Sequence, residues 1–342
     1  MWVVHNHTPF ATAGSFVCDK NGYMHWVVAV RATLEFADSG RLVRAAEQLP
    51  VSRTPVFRGP ATTSSLIHDN DLVLPKTATD VIVDAHAWAP AQRPVTMLDV
   101  GFELGPIRKQ LRVHGPRSWI RSATQDITPG TPQTFVTSPI GYECAFGGAD
   151  KSGGHFAPNP AGRGYALSPT ELLHTLAPSI EDLAEPLMAK RRPSRAAGFG
   201  AIAAHWSPRS AFAGTYDARW QRERAPLWPQ DLDERFFQSA PVDQQVPGQL
   251  RGGEECVLVH LTKSGSARFR LPKIRIEVVT QFKDASERSE ATLQTVLIQP
   301  EASRLTLVWS AAHVSQDREH RLEHSRVTWE GEKTWAEPQQ RT

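Results

Sequence analysis

Between residues 26 and 36 the chain alternates with a period of two, which is the spacing of an extended strand. Trp26, Val28, Val30, Ala32, Leu34 and Phe36 fall on one face, and Arg31, Thr33 and Glu35 share the other with Val27 and Ala29. The same pattern recurs over 80–88, where Val81, Val83, Ala85 and Ala87 point inward and Asp84 and His86 outward. Further strands are expected over 95–104 and 107–114, then over 257–261, 267–271, 275–282, 293–298 and 305–309. Gln299-Pro300-Glu301-Ala302-Ser303 supplies a hairpin turn between the last two. A chain patterned in this way builds antiparallel, half-buried sheets.

Residues 141–253 break the pattern. They are rich in Gly, Pro, Arg and aromatic residues, with short helices expected over 169–175 and 180–190. The expected fold is therefore mainly β, with antiparallel sheets forming a sandwich or barrel, a long irregular Pro/Gly/Arg/Trp-rich insert and a few short helices. Residues 1–312 read as a single domain, strand-rich over 1–140 and 254–312 with the irregular middle over 141–253. Residues 313–342 read as a charged C-terminal extension.

Composition narrows the function. The 342 residues carry 38 Lys+Arg against 36 Asp+Glu, a net charge of +2, so a general nucleic-acid binder with its excess of phosphate-neutralising charge is not expected. Nine of the basic residues are Lys and 29 are Arg, and there are 26 Pro, a bias toward loops and planar hydrogen-bonding side chains. The longest wholly apolar run, 26–30, is far short of the ~20 residues of a membrane helix, and no signal-peptide pattern opens the chain. Cys18, Cys144 and Cys256 are widely separated with no C-x-x-C, as suits a reducing compartment.

Several short patterns are weighed and set aside. His320-Arg321-Leu322-Glu323-His324 matches the inverted zinc-protease motif, but charged neighbours give it no apolar face to bury a helix. His5 and His7 share a strand face without a defined third ligand. Gly198-Phe199-Gly200-Ala201-Ile202-Ala203 has dinucleotide-loop spacing, yet the strand that should precede it is replaced by basic residues, and a flexible turn is the expectation. No catalytic, cofactor-binding or metal residue is expected. The conspicuous cluster is Trp206, Arg209, Tyr216, Asp217, Trp220, Asp231 and Asp233, with Arg251 following. Such residues fit either a buried Arg–Asp network that locks loops or a partner-binding surface, and both readings stay open.

At these residues the sequence resembles the domain-of-unknown-function 2169 family over about residues 20–310. The resemblance is carried by ordered blocks. The first are Ser65-Leu66-Ile67, Leu74-Pro75-Lys76-Thr77-Ala78-Thr79-Asp80-Val81, Lys109-Gln110-Leu111-Arg112-Val113-His114-Gly115 and Tyr142-Glu143-Cys144-Ala145-Phe146-Gly147-Gly148. They continue with Asn159-Pro160-Ala161-Gly162-Arg163-Gly164, Gly198-Phe199-Gly200, Trp206 with Arg209, and Gly214-Thr215-Tyr216-Asp217 with Trp220. Pro229-Gln230-Asp231-Leu232-Asp233, Ala240-Pro241 with Asp243-Gln244, and Leu250-Arg251-Gly252-Gly253-Glu254 complete the run. Asp84-Ala85 stands where Asn-Gly is usual, and Pro116 where Asp is usual. The resemblance implies a cytoplasmic bacterial adaptor, or chaperone, of the type VI secretion system. Such a protein binds a secreted effector and helps load it onto the VgrG spike or its PAAR-like tip, with no enzymatic activity, cofactor, nucleic acid or membrane involved. The alternatives are an enzyme using a pocket of His86, Asp84 and His114, and a structural part of the secreted spike.

Overall fold

The alternation at 26–36 becomes a long interior strand, Met24–Phe36, of a ten-stranded sheet in a computed structural model that describes residues 2–36, 40–187, 193–315 and 318–331. Trp26, Val28, Val30, Ala32 and Leu34 enter the main core. The other face is also covered, because Val27 and Ala29 meet Val51 and Leu72 from the following segment. The half-buried expectation fails here for that reason, and the polar residues on this face need partners. Arg31 lies 3.1 Å from Asp71, whose other oxygen bonds His68 at 2.7 Å.

Met24–Phe36 pairs antiparallel with Ala11–Cys18 on one side and Arg304–Val314 on the other. The path continues through Ser286–Gln299, Arg275–Phe282 and Leu322–Glu330 to Val3–Asn6, the last pairing being parallel. Its two ends are consecutive strands, so the mixed sheet curls into a nearly closed barrel. At the seam Trp2 packs edge-on against Phe16 with ring centroids 4.8 Å apart. Closure of this kind leaves little open edge for unwanted strand pairing.

Ser286–Gln299 serves two neighbours on one edge. It pairs with Arg275–Phe282 up to Ala291, then runs parallel to Ala78–Val83 from Thr295. The register shift between Leu293 and Thr295 marks the changeover, as a bulge commonly does. Ala78–Val83 takes Gln245–Pro247 on its far side. The junction is sealed by the Lys76 and Asp80 side chains, 2.7 Å apart and buried, and by Thr79, whose hydroxyl donates to the Leu293 carbonyl at 2.6 Å.

A second, five-stranded antiparallel sheet runs Ile180–Asp182, Ile107–His114, Met97–Leu104, Glu255–Val259 and Ser266–Arg270. Its inward residues, among them Phe102, Leu111, Val113 and Leu258, share one core with Val81, Val83, Val296 and Ile298 of the barrel. The fold is thus mainly β, and Ala218–Glu223 is the one α-helix among the described residues.

Three expectations need correction. Residues 180–182 form a strand, not the start of a helix: Ile180 and Asp182 both turn inward and pair with Ile107–His114, while 188–190 lie outside the described residues. The strand expected over 80–88 is two strands, Ala78–Val83 and Ala85–Trp88, interrupted at Asp84. The segment after 312 is not apart from the sheet within the described residues. Leu322–Glu330 pairs with both Arg275–Phe282 and Val3–Asn6, burying Leu322, Ser325 and Val327 while its charged residues face out. Residues 332–342 lie outside the described residues.

Candidate binding cleft

Lys109 is the anomaly from which the site can be built. On Ile107–His114 the inward positions are Ile107, Lys109, Leu111 and Val113, so a lysine stands in a row of core residues. A buried ammonium must be paired and hydrogen-bonded. Lys109 Nζ donates to Asp243 Oδ1 at 3.0 Å and to Gln244 Oε1 at 2.9 Å. Burial pushes the amine below the usual lysine range, and the Asp243 charge opposes that shift. Gln244 is itself held, its Nε2 donating to the Val81 and Phe199 carbonyls at 2.7 and 2.8 Å. The turn Val242–Gln244 is therefore anchored at the junction of the two sheets by buried Gln244 and by the Asp243–Lys109 pair. Val242, its first, is left 70% exposed.

Above this anchor lies a cleft of about 200 Å³, walled by Ile202, Pro208, Phe212, Ala240, Pro241 and Val242. Its charged members are paired. Arg195 lies 2.7 Å from Asp182 and 3.3 Å from Asp243. Arg209 is buried, 2.6 Å from Asp69, and donates to the Ile202 and Phe236 carbonyls. Arg235 lies over the Phe212 ring at 4.1 Å and 2.6 Å from Asp233. Its side-chain hydrogen bond holds the Asp233 carboxyl down at about 2. Gln238 is fixed by donation from Nε2 to the Ala78 carbonyl at 3.3 Å, and its buried Oε1 has no protein partner.

The eight residues singled out from the sequence do not form one network. Arg209 lines the cleft, Trp206 packs in the core cluster that holds its wall residues Ile202 and Ala240, and Asp233 reaches it through Arg235. Trp206 is fully buried, edge-on to Tyr142 at 5.5 Å, with Nε1 donating to His205 at 2.9 Å. Tyr216, Asp217, Trp220 and Asp231 belong to a separate loop. Exposed Tyr216 packs edge-on against Trp220 at 4.6 Å, and Trp220 Nε1 donates to the Leu227 carbonyl. Asp217 caps the Ala218–Glu223 helix, accepting the Trp220 N–H at 2.7 Å, and Asp231 holds the Thr215 N–H and hydroxyl. Neither carboxylate has an Arg ion pair among the described residues, so of the two readings left open the buried Arg–Asp network finds no support at this loop; local backbone caps hold it. Arg251 is exposed on the loop before Glu255–Val259, away from the cleft lining.

Asp84, His86 and His114 each have a partner of their own. Asp84 pairs with Arg58 and accepts from Gln299, His86 sits 3.1 Å from Glu301, and His114 lies 3.3 Å from Glu181. Gly198-Phe199-Gly200 is not a flexible turn but a seat for the Tyr142 ring, whose hydroxyl donates to the Gly200 carbonyl at 2.7 Å. His320 is on a 3-10 turn and His324 on a strand, edge-on to His5 at 4.9 Å, so the inverted zinc motif has no helix to present it. One alignment was invisible to sequence spacing: Ser289 Oγ, 2.9 Å from His313, which is 3.1 Å from Glu287. Glu287 is also held by Arg318 at 2.8 Å.

Fold and cleft together define a mainly β protein with a small cleft at a sheet junction whose charged groups are paired among the described residues. The chain belongs to a particular family of this kind: the family described as an uncharacterized protein conserved in bacteria, DUF2169, matches residues 21–310. No curated protein and no solved structure matches the chain. No helix among the described residues is long and apolar enough to cross a membrane.

Sequence reasoning missed Lys109, Val242, Asp243, Gln238 and Arg195 as a group. The one available signal was the lysine at an inward position of an alternating strand, in a chain with only nine lysines.

Proposed function

We propose that the protein is an adaptor, or chaperone, that binds a type VI secretion effector in the bacterial cytoplasm and helps load it onto the VgrG spike or PAAR-like tip. It acts stoichiometrically and not as an enzyme. The family resemblance supplies the secretion context. The observation that carries the reading is the cleft, about 200 Å³ in volume and with an apolar wall, at whose rim Val242 stands exposed. That size suits one or two side chains of a protein partner.

The test is affinity purification of the tagged protein from its native cell, with identification of co-eluting proteins and of the compartment that holds the tag. An effector and a spike component should co-elute from the cell interior. If neither does, the adaptor reading fails. Recovery of the protein with the spike in the medium replaces it with a structural role in the spike.

A further inference from the structure

We infer that Ser289 is a nucleophile activated by His313 and Glu287, and that it accepts the acyl group of a small activated ester. One acyl group per chain is a covalent modification of the protein, compatible with a stoichiometric adaptor and independent of that reading.

Glu287 is held by Arg318 at 2.8 Å, and an ionised carboxylate only accepts hydrogen bonds. His313 Nδ1, 3.1 Å from Glu287 Oε2, therefore carries the ring hydrogen. In the neutral ring this leaves Nε2 as an acceptor, and Ser289 Oγ lies 2.9 Å from it. A hydroxyl placed on a base, with that base oriented by a carboxylate, is the arrangement that activates a serine. The His313 side chain is only 4% exposed, so the ring is held in that orientation.

Ser289 and Glu287 stand on Ser286–Gln299 and His313 on the neighbouring Arg304–Val314, both strands of the barrel. Sites built on strands are held more precisely than sites on loops. On the face that carries them Glu287 and Ser289 are half-buried, and full burial begins at Ala291. Val278, opposite Ser289, is buried as well. The serine thus lies where the barrel core gives out to solvent, and an electrophile approaches from that side.

The chemistry selects an acyl donor. Phosphoryl transfer needs cations around the reacting oxygens, and Arg318, the cation of this cluster, is spent on Glu287 and on the Phe282 ring, 4.7 Å from its guanidinium carbon. An uncharged ester makes no such demand. Ser289 Oγ bonds to the ester carbonyl carbon as its proton passes to His313 Nε2. The bond to the leaving oxygen then breaks, and the alcohol or phenol departs with that proton. The products are an O-acyl serine and an alcohol.

The experiment treats the full chain with p-nitrophenyl acetate and, separately, with diisopropyl fluorophosphate, a serine-directed probe. Intact mass and peptide mapping locate the adduct, and its rate of formation is followed. Both reagents should modify Ser289. His313→Gln should slow that modification about a hundredfold or more, the usual loss of a general base. Glu287→Gln keeps the size of the side chain, removes its charge and should slow the reaction too, with urea midpoints separating lost activation from lost fold. Should His313→Gln fail to fold, Glu287→Gln decides. Absence of an adduct on Ser289 in the folded parent overturns the inference. So does modification of Ser289 at the parent rate in either folded variant, which would make it an ordinary hydroxyl.

Discussion

The ammonium of Lys76 lies 2.7 Å from the carboxylate of Asp80, and both groups are sealed from solvent where the barrel strand Ser286–Gln299 changes neighbours. Lys76 Nζ also donates to Thr295 Oγ1 at 3.0 Å, and Asp80 accepts the Ser239 N–H at 2.7 Å. The Lys76 backbone N–H donates to Gln294, the residue the bulge leaves out of register. The pair thus sets the register of the branch as well as neutralising two buried charges.

Removing one partner should therefore be severe. Lys76→Met leaves Asp80 charged and buried, and should lower stability to urea by about 3–5 kcal/mol. The double variant Lys76→Met/Asp80→Asn should lose less than the sum of the single losses, since no uncompensated charge remains. A loss under about 1 kcal/mol for Lys76→Met would show that the pair contributes little.

Asp217 should behave quite differently. It accepts one backbone N–H as the cap of a six-residue helix on an exposed loop. Asp217→Ala should cost about 1 kcal/mol in a urea titration, the usual loss of a side-chain cap, against the 3–5 kcal/mol expected of a broken buried ion pair. A loss of the larger size would mean that Asp217 has a buried charged partner after all.

These two aspartates show what the sequence can reveal. The cap is local: Asp217 stands three residues before the N–H it accepts, a spacing readable from the chain. The alternation of Met24–Phe36 is local too, and its strand was legible to within two residues. What covers its second face was not, because Val51 and Leu72 arrive by tertiary folding. The cleft was hidden for the same reason, since Lys109 and Asp243 are 134 residues apart. Leu322–Glu330 was misread because Glu323 and Arg326 on its solvent face mask the buried Leu322, Ser325 and Val327. The blocks on which the family resemblance rests include Lys76, Asp80, Lys109, Asp243 and Gln244. The structure gathers them around the sheet junction, Lys76, Asp80, Lys109 and Gln244 buried and Asp243 exposed but paired with Lys109, so they report on the fold as much as on a surface.

The His86–Glu301 pair, 3.1 Å apart, gives the protein a pH response of defined sign. The Glu301 carboxylate beside it raises the His86 pKa above its ordinary 6.5, against the opposing effect of burial. Burial, the largest single effect, would raise Glu301, but the His86 side chain, the backbone N–H groups of His86 and Glu301 and the His86 charge together outweigh it, and the carboxyl falls below its ordinary 4.5. A raised histidine stabilises the fold fully below 6.5 and loses that contribution as pH rises through the elevated value; a lowered carboxyl stabilises above 4.5 and loses its contribution as pH falls through the depressed value. The pair is therefore most effective between those limits. Urea midpoints at about pH 5.5 and about pH 8.5 should differ more in the parent protein than in Glu301→Gln, with the excess stability on the acidic side. The same pH dependence in both proteins would exclude this pair as its source.

The seat of Tyr142 makes the sharpest steric prediction. The ring is fully buried, edge-on to Trp206, with its hydroxyl tied to the Gly200 carbonyl. A Cβ on Gly198 would stand 2.4 Å from Tyr142 Cε1, inside any permissible contact, whereas a Cβ on Gly200 would meet the ring at 3.3 Å. Gly198→Ala must displace a large side chain from a packed site and should cost about 1–3 kcal/mol. Gly200→Ala should cost clearly less, because a shift of a few tenths of an ångström relieves it. Trimming the ring separates sterics from backbone effects. In a Tyr142→Leu background, the added penalty of Gly198→Ala should shrink, since the atoms it strikes are gone. If the penalty is unchanged in that background, or if the two glycines are equally costly, backbone freedom rather than contact with Tyr142 is what those positions require.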